Sequence, residues 1–123
     1  MTTTFASTRI VTEDVDRLTA FYEHVTGVTA TRPTPVFAEI RTAAGTLAIS
    51  SNQLTNRLYG ADVVRPGANH SAFLEFQVAD ADAEFARLSE LEFVQEPTTM
   101  PWGNRSVLLR DPDGNLVNLF TTP

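Results

Sequence analysis

The sequence contains no cysteine and no lysine. Without cysteine the chain forms no disulfide, no thiolate nucleophile and no cysteine metal site. Without lysine it forms no Schiff base with a carbonyl substrate. It also lacks an apolar run of the about 20 residues that a membrane helix needs, and its first residues lack the basic and apolar regions of a secretory signal. We therefore expect a cytoplasmic protein with no membrane partner.

Positive charge is scarce as well. All nine basic residues are arginine, and the 15 acidic residues bring the net charge to −6. An acidic chain without a basic run repels phosphate backbones, which excludes nucleic acid as a partner. The acidity favours solubility and is also compatible with a cationic ligand. With 42% apolar and 20% charged residues in 123 positions, the composition is that of a globular domain with its own core.

An internal repeat organises the chain. Residues 7–27 resemble residues 73–92 when Asp14 is aligned with Asp80, 66 positions further on. In both segments an alternating strand runs into a helix that an aspartate can cap. Three more strand-like pieces follow in each half, the last two joined by a turn that contains glycine. These strands are predicted at 28–31, 36–41, 46–50, 93–95, 105–110 and 115–121.

The repeat predicts an α+β fold of two βαβββ modules related by pseudo-twofold symmetry. A single domain over residues 1–123 would comprise module one at 1–52, a linker at 53–69 and module two at 70–123. Neither half can bury both faces of its sheet alone, so we expect the two sheets to complete one another.

Two stretches resemble a known family. The early "EDVDRLTAFYEHVTG" and the late "PWGNRSVLLRDPDGNLVNLF" are similar to the vicinal oxygen chelate superfamily, which includes glyoxalase I, extradiol dioxygenases, fosfomycin-modifying enzymes and bleomycin-resistance proteins. The resemblance covers both halves of the chain outside the linker. It implies paired βαβββ modules whose mixed sheets curl around a cavity, commonly in a homodimer.

Metal-using members of that family hold a divalent ion with histidine and glutamate side chains. Carried over to this chain, those positions fall on Ser7, Ile49, Phe73 and Asn118. A serine hydroxyl and an amide oxygen are weak neutral donors, and the other two side chains donate nothing. The resemblance thus implies a member without a metal site or other cofactor. A different strand register near His70 is the alternative that would restore a metal ligand.

Strand alternation predicts a ligand-binding face. It groups Phe73 with Glu75 on one strand and Leu116 with Asn118 and Phe120 on another, while the opposite faces are apolar and suit helix packing. Aromatic walls with a few charged or amide groups are typical of small-molecule pockets. The predicted ligand-binding residues are Ser7, Arg9, Phe73, Glu75, Trp102 and Asn118.

Two roles stay open at this point. Trp102 either stacks on a planar or cationic ligand or closes the end of the sheet as a packing residue. Arg9 and Glu75 occupy matching places in the two halves. They either form a buried ion pair or hold a polar ligand.

The function that these features favour is metal-independent binding of a small organic molecule, with an aromatic or a cationic ligand both compatible. The nearest analogy within the family is the bleomycin-resistance group, which confers antibiotic resistance by sequestering a drug unchanged. The alternative is a glyoxalase- or dioxygenase-like enzyme, either metal-free with Glu75 as the general base or with a metal site in another register. A third reading is a dimeric interaction module.

Overall fold

The computed structural model describes residues 2–123, which form two compact units, the first ending at Ala68 and the second running from Asn69 to Pro123. Each unit contains one four-stranded mixed sheet and the strand–helix–strand–strand–strand order that the repeat predicts. This arrangement confirms the predicted α+β class. No helix within residues 2–123 is long and apolar enough to cross a membrane.

Unit one carries its sheet in the order β1-β4-β3-β2. β1 pairs in parallel with β4, and the other pairs are antiparallel. Its elements are β1 (Ser7–Thr12), α1 (Val15–Thr26), β2 (Thr31–Thr34), β3 (Phe37–Arg41), β4 (Thr46–Ser51) and α2 (Asn52–Tyr59).

Unit two repeats this topology in the order β5-β8-β7-β6, again with one parallel pair, β5 with β8. The internal repeat in the sequence is therefore a repeat of strand order. Its elements are β5 (Phe73–Gln77), α3 (Ala81–Arg87), β6 (Phe93–Thr99), β7 (Arg105–Arg110) and β8 (Leu116–Thr121).

The helices that follow β1 and β5 begin at the predicted aspartate caps. Asp14 Oδ1 accepts a hydrogen bond from the Arg17 amide at 3.0 Å, and Asp80 Oδ1 accepts one from the Ala83 amide at 3.0 Å. Each carboxylate satisfies an amide that has no partner inside its helix. Gly27 ends α1 with φ +73°, a conformation that glycine adopts without strain.

Two strands differ from the prediction because each contains a proline. β2 lies at Thr31–Thr34 instead of 28–31 and includes Pro33, and β6 extends to Thr99 and includes Pro97. Both are edge strands, so one side of each has no ladder that a proline would interrupt.

The segment predicted as a linker contains a helix. α2 covers Asn52–Tyr59, and the Ser51 hydroxyl caps it by accepting from the Leu54 amide at 3.2 Å. Only Thr55 of this helix is buried. The helix therefore has no apolar stripe in its sequence from which it could be predicted.

Most of the buried apolar side chains of the strands lie on one face of each sheet. In unit one Ile40 and Ile49 lie in the core with Leu18 and Tyr22 of α1. In unit two the equivalent layer joins the sheet to α3. Its fully buried members are Ala81, Leu88, Val107, Leu109, Val117 and Leu119. Burial of this face leaves the opposite face of each sheet for a site.

An exposed ion pair joins α3 to β7 and makes a pH-dependent prediction. Arg105 donates from Nε and Nη2 to the two carboxylate oxygens of Asp82, at 3.1 and 3.0 Å. These hydrogen bonds lower the pKa of Asp82 from its ordinary value of 3.8. A carboxyl whose pKa is lower in the folded state stabilises that state above the unfolded pKa and loses the contribution as the pH falls through the folded pKa.

We therefore expect Asp82→Asn to be slightly less stable than the wild type near neutral pH, with the difference shrinking once the pH falls below 3.8 and vanishing as it passes through the lower pKa of the folded state. Urea unfolding followed by circular dichroism at several pH values measures it. In an Arg105→Gln background the same substitution should show no such pH dependence. A difference that persists at acid pH would contradict the assignment.

Candidate functional site

The candidate site lies on the sheet face of unit two that is turned away from the core. The β5–β8 register pairs Phe73 with Leu116, Glu75 with Asn118 and Gln77 with Phe120. The β7–β8 register sets Leu108 opposite Asn118. Paired side chains share a face of a sheet. We call this surface the Glu75 face, made of Phe73, Glu75, Gln77, Leu108, Leu116, Asn118 and Phe120.

A polar pair forms the centre of the Glu75 face. Asn118 Nδ2 donates to Glu75 Oε2 at 2.9 Å. Asn118 is only 8% exposed, whereas Glu75 is exposed. The other end of the amide, Oδ1, is buried and accepts no hydrogen bond from residues 2–123. A buried acceptor without a donor is costly, which makes this oxygen a candidate contact for another molecule.

Apolar side chains surround the pair. Leu116 and Phe120 lie two residues to either side of Asn118 on the same face, and Leu108 lies across from it on β7. All three are partly buried. A few polar groups within an apolar surface are what small-molecule sites offer.

The turn between β7 and β8 positions Asn118. The buried Asp111 carboxylate accepts from the amides of Asp113 and Asn115, both at 2.9 Å, and from Asn115 Nδ2 at 2.7 Å. These bonds close the glycine-containing turn predicted before the last strand, which has the sequence Asp-Pro-Asp-Gly at 111–114. They bring Asn118 opposite Glu75 by fixing where β8 begins.

Phe73 and Trp102 lie toward opposite ends of the sheet. Phe73, 54% exposed, starts β5 two residues before Glu75. Trp102 belongs to the β6–β7 turn at the Gln77 end of the sheet, about 13 Å away along the strand. It is 69% exposed and therefore does not close the sheet as a buried packing residue. Gly103 allows this turn to pack closely against Pro123, because any larger residue would place its Cβ only 2.8 Å from Pro123 Cγ.

In unit one, the sheet face equivalent to the Glu75 face is in contact with helix α2. Arg9 donates from Nη2 to the Tyr59 hydroxyl at 3.2 Å, and its guanidinium lies 5.4 Å from the centre of the Tyr59 ring. The buried hydroxyls of Ser50 and Thr55 lie 3.4 Å apart. Arg9 and Ser50 both project from the sheet face turned away from α1. Since Tyr59 and Thr55 of α2 contact these two residues, α2 lies over that face.

Tyr59 was not among the predicted site residues, although Ser51 and Gly60 mark the two ends of the helix that carries it. Ser7 is exposed at the start of β1. Arg9 and Glu75 are both exposed.

One of the four positions predicted to correspond to metal ligands, Ile49, is wrong. Ile49 pairs with Ile10 and lies on the core face, fully buried. The residue equivalent to Asn118 is Ala48, since Arg9 pairs with Ala48 as Glu75 pairs with Asn118. The β3–β4 turn is one residue shorter than the β7–β8 turn, so counting from the glycine overshoots.

The donor set at these positions does not fit a metal ion. Ala48 and Phe73 have no donor atom, and a hydroxyl and an amide bind divalent metals weakly. His70 lies exposed in the loop before β5. Within residues 2–123 no three histidine or acidic side chains lie close enough together to hold a metal.

The sequence profile of the Glyoxalase/Bleomycin resistance protein/Dioxygenase superfamily matches residues 4–119. The chain belongs to this superfamily, which confirms the resemblance that its motifs indicated. A comparison with curated proteins found no match.

Solved structures that share the fold include the following three. A glyoxalase/bleomycin resistance protein/dioxygenase from Nocardioides is 22% identical, with 99% of this chain and 85% of that one covered and a TM-score of 0.80. A protein of unknown function from Agrobacterium tumefaciens str. C58 is 21% identical, with 100% and 97% covered and a TM-score of 0.84. A lactoylglutathione lyase from Agrobacterium tumefaciens is 24% identical, with 98% and 94% covered and a TM-score of 0.75.

Proposed function

We propose that this protein binds a small organic molecule on the Glu75 face without a metal ion and sequesters it unchanged, as bleomycin-resistance proteins sequester a drug. The observation that carries the proposal is the buried Asn118 amide, which has one end held by Glu75 and the other end unpaired. The apolar surroundings of this pair support it, since they can cover the body of a small molecule.

The proposed contact residues are Phe73, Glu75 and Asn118, with Trp102 reached by a longer ligand. Ser7 and Arg9 stay predictions. Arg9 already has a partner in Tyr59, and α2 covers the face from which it projects.

We further propose that the two units act as one domain and that the chain works as a homodimer in the cytoplasm. Large apolar side chains exposed on both units support association with a second chain. They include Phe5, Leu58, Val63 and Val94. Light scattering on the purified protein measures the mass and tests the dimer directly.

The second candidate function is metal-free catalysis with Glu75 as the general base. It is favoured by one observation: Asn118 holds only Oε2 of the Glu75 carboxylate, so Oε1 is left to take a proton from a substrate. A ligand recovered unchanged after prolonged incubation supports the binder. Turnover that Glu75→Gln abolishes supports the enzyme.

The proposal predicts binding without metal. Protein incubated with nickel, zinc, iron and manganese salts and then desalted should retain far less than one metal per chain by elemental analysis, because the donors are missing. In NMR spectra of the metal-free protein, a mixed fragment library should shift the signals of Phe73, Glu75 and Asn118.

An Asn118→Leu variant is the matched control, since it keeps the branched arrangement of the side-chain heavy atoms and removes the polar ones. It should lose the fragment response while the spectrum of unit one stays unchanged. One tightly held metal per chain, or fragments that shift only signals far from the Glu75 face, would contradict the proposal.

A further inference from the structure

We propose that the molecule bound on the Glu75 face is an organic cation with N–H donors, of the primary-amine class. This inference rests on the proposed binding function and narrows its ligand to one chemical class. It follows from the hydrogen-bonding capacity that Glu75 and Asn118 leave unused.

The unused capacity consists of acceptors only. Asn118 Nδ2 is occupied by Glu75 Oε2, and Asn118 Oδ1 is buried without a donor. Glu75 Oε1 accepts no hydrogen bond from any residue in 2–123. A ligand that completes this pair must supply N–H or O–H groups, because a ligand acceptor would meet two oxygens.

The orientation of the amide is set by the carboxylate. If the Asn118 amide were reversed, Oδ1 would face Glu75 Oε2 and two acceptors would lie in contact without a proton between them. The carboxylate therefore selects the orientation that leaves Oδ1 without a donor. The pair therefore carries one negative charge and two oxygens without a donor, Glu75 Oε1 and Asn118 Oδ1.

No cation of the protein neutralises this charge in unit two. Arg110 lies on the same side of the sheet, but it pairs with Leu116 and its Nη1 donates to the Gly114 carbonyl at 3.0 Å in the turn. The nearest amide on β5, Gln77, donates to the Thr122 hydroxyl at 3.5 Å. The positive partner of Glu75 is thus left for the ligand to provide.

The geometry favours a compact ammonium group carried on an apolar body. Glu75 is exposed and meets the ligand first, whereas Asn118 is buried behind it, so the charged group must be small enough to reach both. A primary ammonium has three donors in a small volume. Phe73 and the leucines of the face can cover an aromatic or aliphatic body, and the net charge of −6 attracts a cation.

Four probes with the same benzyl group test the class. Benzylamine has charge and N–H donors, benzyltrimethylammonium has charge alone, benzyl alcohol is neutral, and phenylacetate is an anion. In NMR titrations of the purified protein, the dissociation constant of benzylamine should be lower than that of each other probe by about tenfold or more. The side-chain amide signal of Asn118 should move with it.

Three substitutions check the residues. Glu75→Gln should weaken benzylamine about tenfold and leave benzyl alcohol within about twofold, because it removes the charge and keeps the shape. Asn118→Asp should strengthen benzylamine binding, because the ammonium group then lies between two carboxylates that repel each other without it. Glu92→Gln changes the net charge equally at an exposed position elsewhere in unit two and should have no effect.

The outcomes separate this inference from the proposed function. If benzyl alcohol or phenylacetate binds the Glu75 face as tightly as benzylamine, or Glu75→Gln has no effect, the cationic class is wrong while the binding function stands. If benzyltrimethylammonium equals benzylamine, the requirement for N–H donors is wrong. If none of the probes and no library fragment shifts the Glu75 face, both proposals fail.

Discussion

Replacing Asp111 by alanine is expected to lower the free energy of unfolding by about 3 kcal/mol. The buried carboxylate accepts three hydrogen bonds, two from backbone amides and one from the Asn115 side chain. Hydrogen bonds to a charged group contribute about 1.5–3 kcal/mol each and are not additive, and the buried donors would be left unpaired. Urea unfolding followed by circular dichroism measures the loss.

Two variants bracket this result. Asp111→Asn keeps one acceptor and should lose less stability than alanine. Glu92→Ala, at an exposed position of the same unit, should stay within about 0.5 kcal/mol of the wild type. Because the turn sets the start of β8, the Asn118 side-chain amide signal should also move in Asp111→Ala. An alanine variant as stable as the wild type would show that the turn holds without the carboxylate.

The second large effect is expected at Tyr22 in unit one. Its ring is fully buried on α1 and packs edge-on against Phe21, with ring centres 5.1 Å apart. Truncating a buried aromatic side chain to alanine removes its transfer free energy and leaves a cavity, so Tyr22→Ala should cost about 3–5 kcal/mol.

Tyr22→Phe is the matched control for this loss. It keeps the ring and removes only the hydroxyl, so it should cost about 1 kcal/mol. Equilibrium unfolding in urea compares the two variants. If both are destabilised equally, the hydroxyl carries the effect and the packing argument fails.

Local patterns were sufficient to predict most of the fold. The aspartates at positions 14 and 80 mark both helix starts, Gly27 marks a helix end, and alternation gives the correct face for Glu75 and Asn118. The prolines at positions 33 and 97 concealed edge strands, since proline breaks a strand only where its missing N–H is needed. Helix α2 was not predicted because it buries a single threonine and so has no apolar pattern.

The centre of the site was only partly predictable. Sequence alternation placed Glu75 and Asn118 on related faces, but their contact depends on the register between two strands whose residues are 43 positions apart. A register of that kind is set by the turn before β8 and by packing of the core face. The same dependence explains the error at Ile49, where a turn shorter by one residue moves the equivalent position to Ala48.

The direct pairing of Glu75 with Asn118 also restricts how this site can evolve. A carboxylate at both positions would put two like charges on adjacent strands, which is destabilising unless a cation lies between them. An amide at position 118 removes the conflict, so an acid at 75 and an acid at 118 are alternatives wherever no cation lies between the two strands. To move the acid from one position to the other, the existing acid must first be replaced by a neutral residue. The substitutions at positions 75 and 118 therefore have a preferred order.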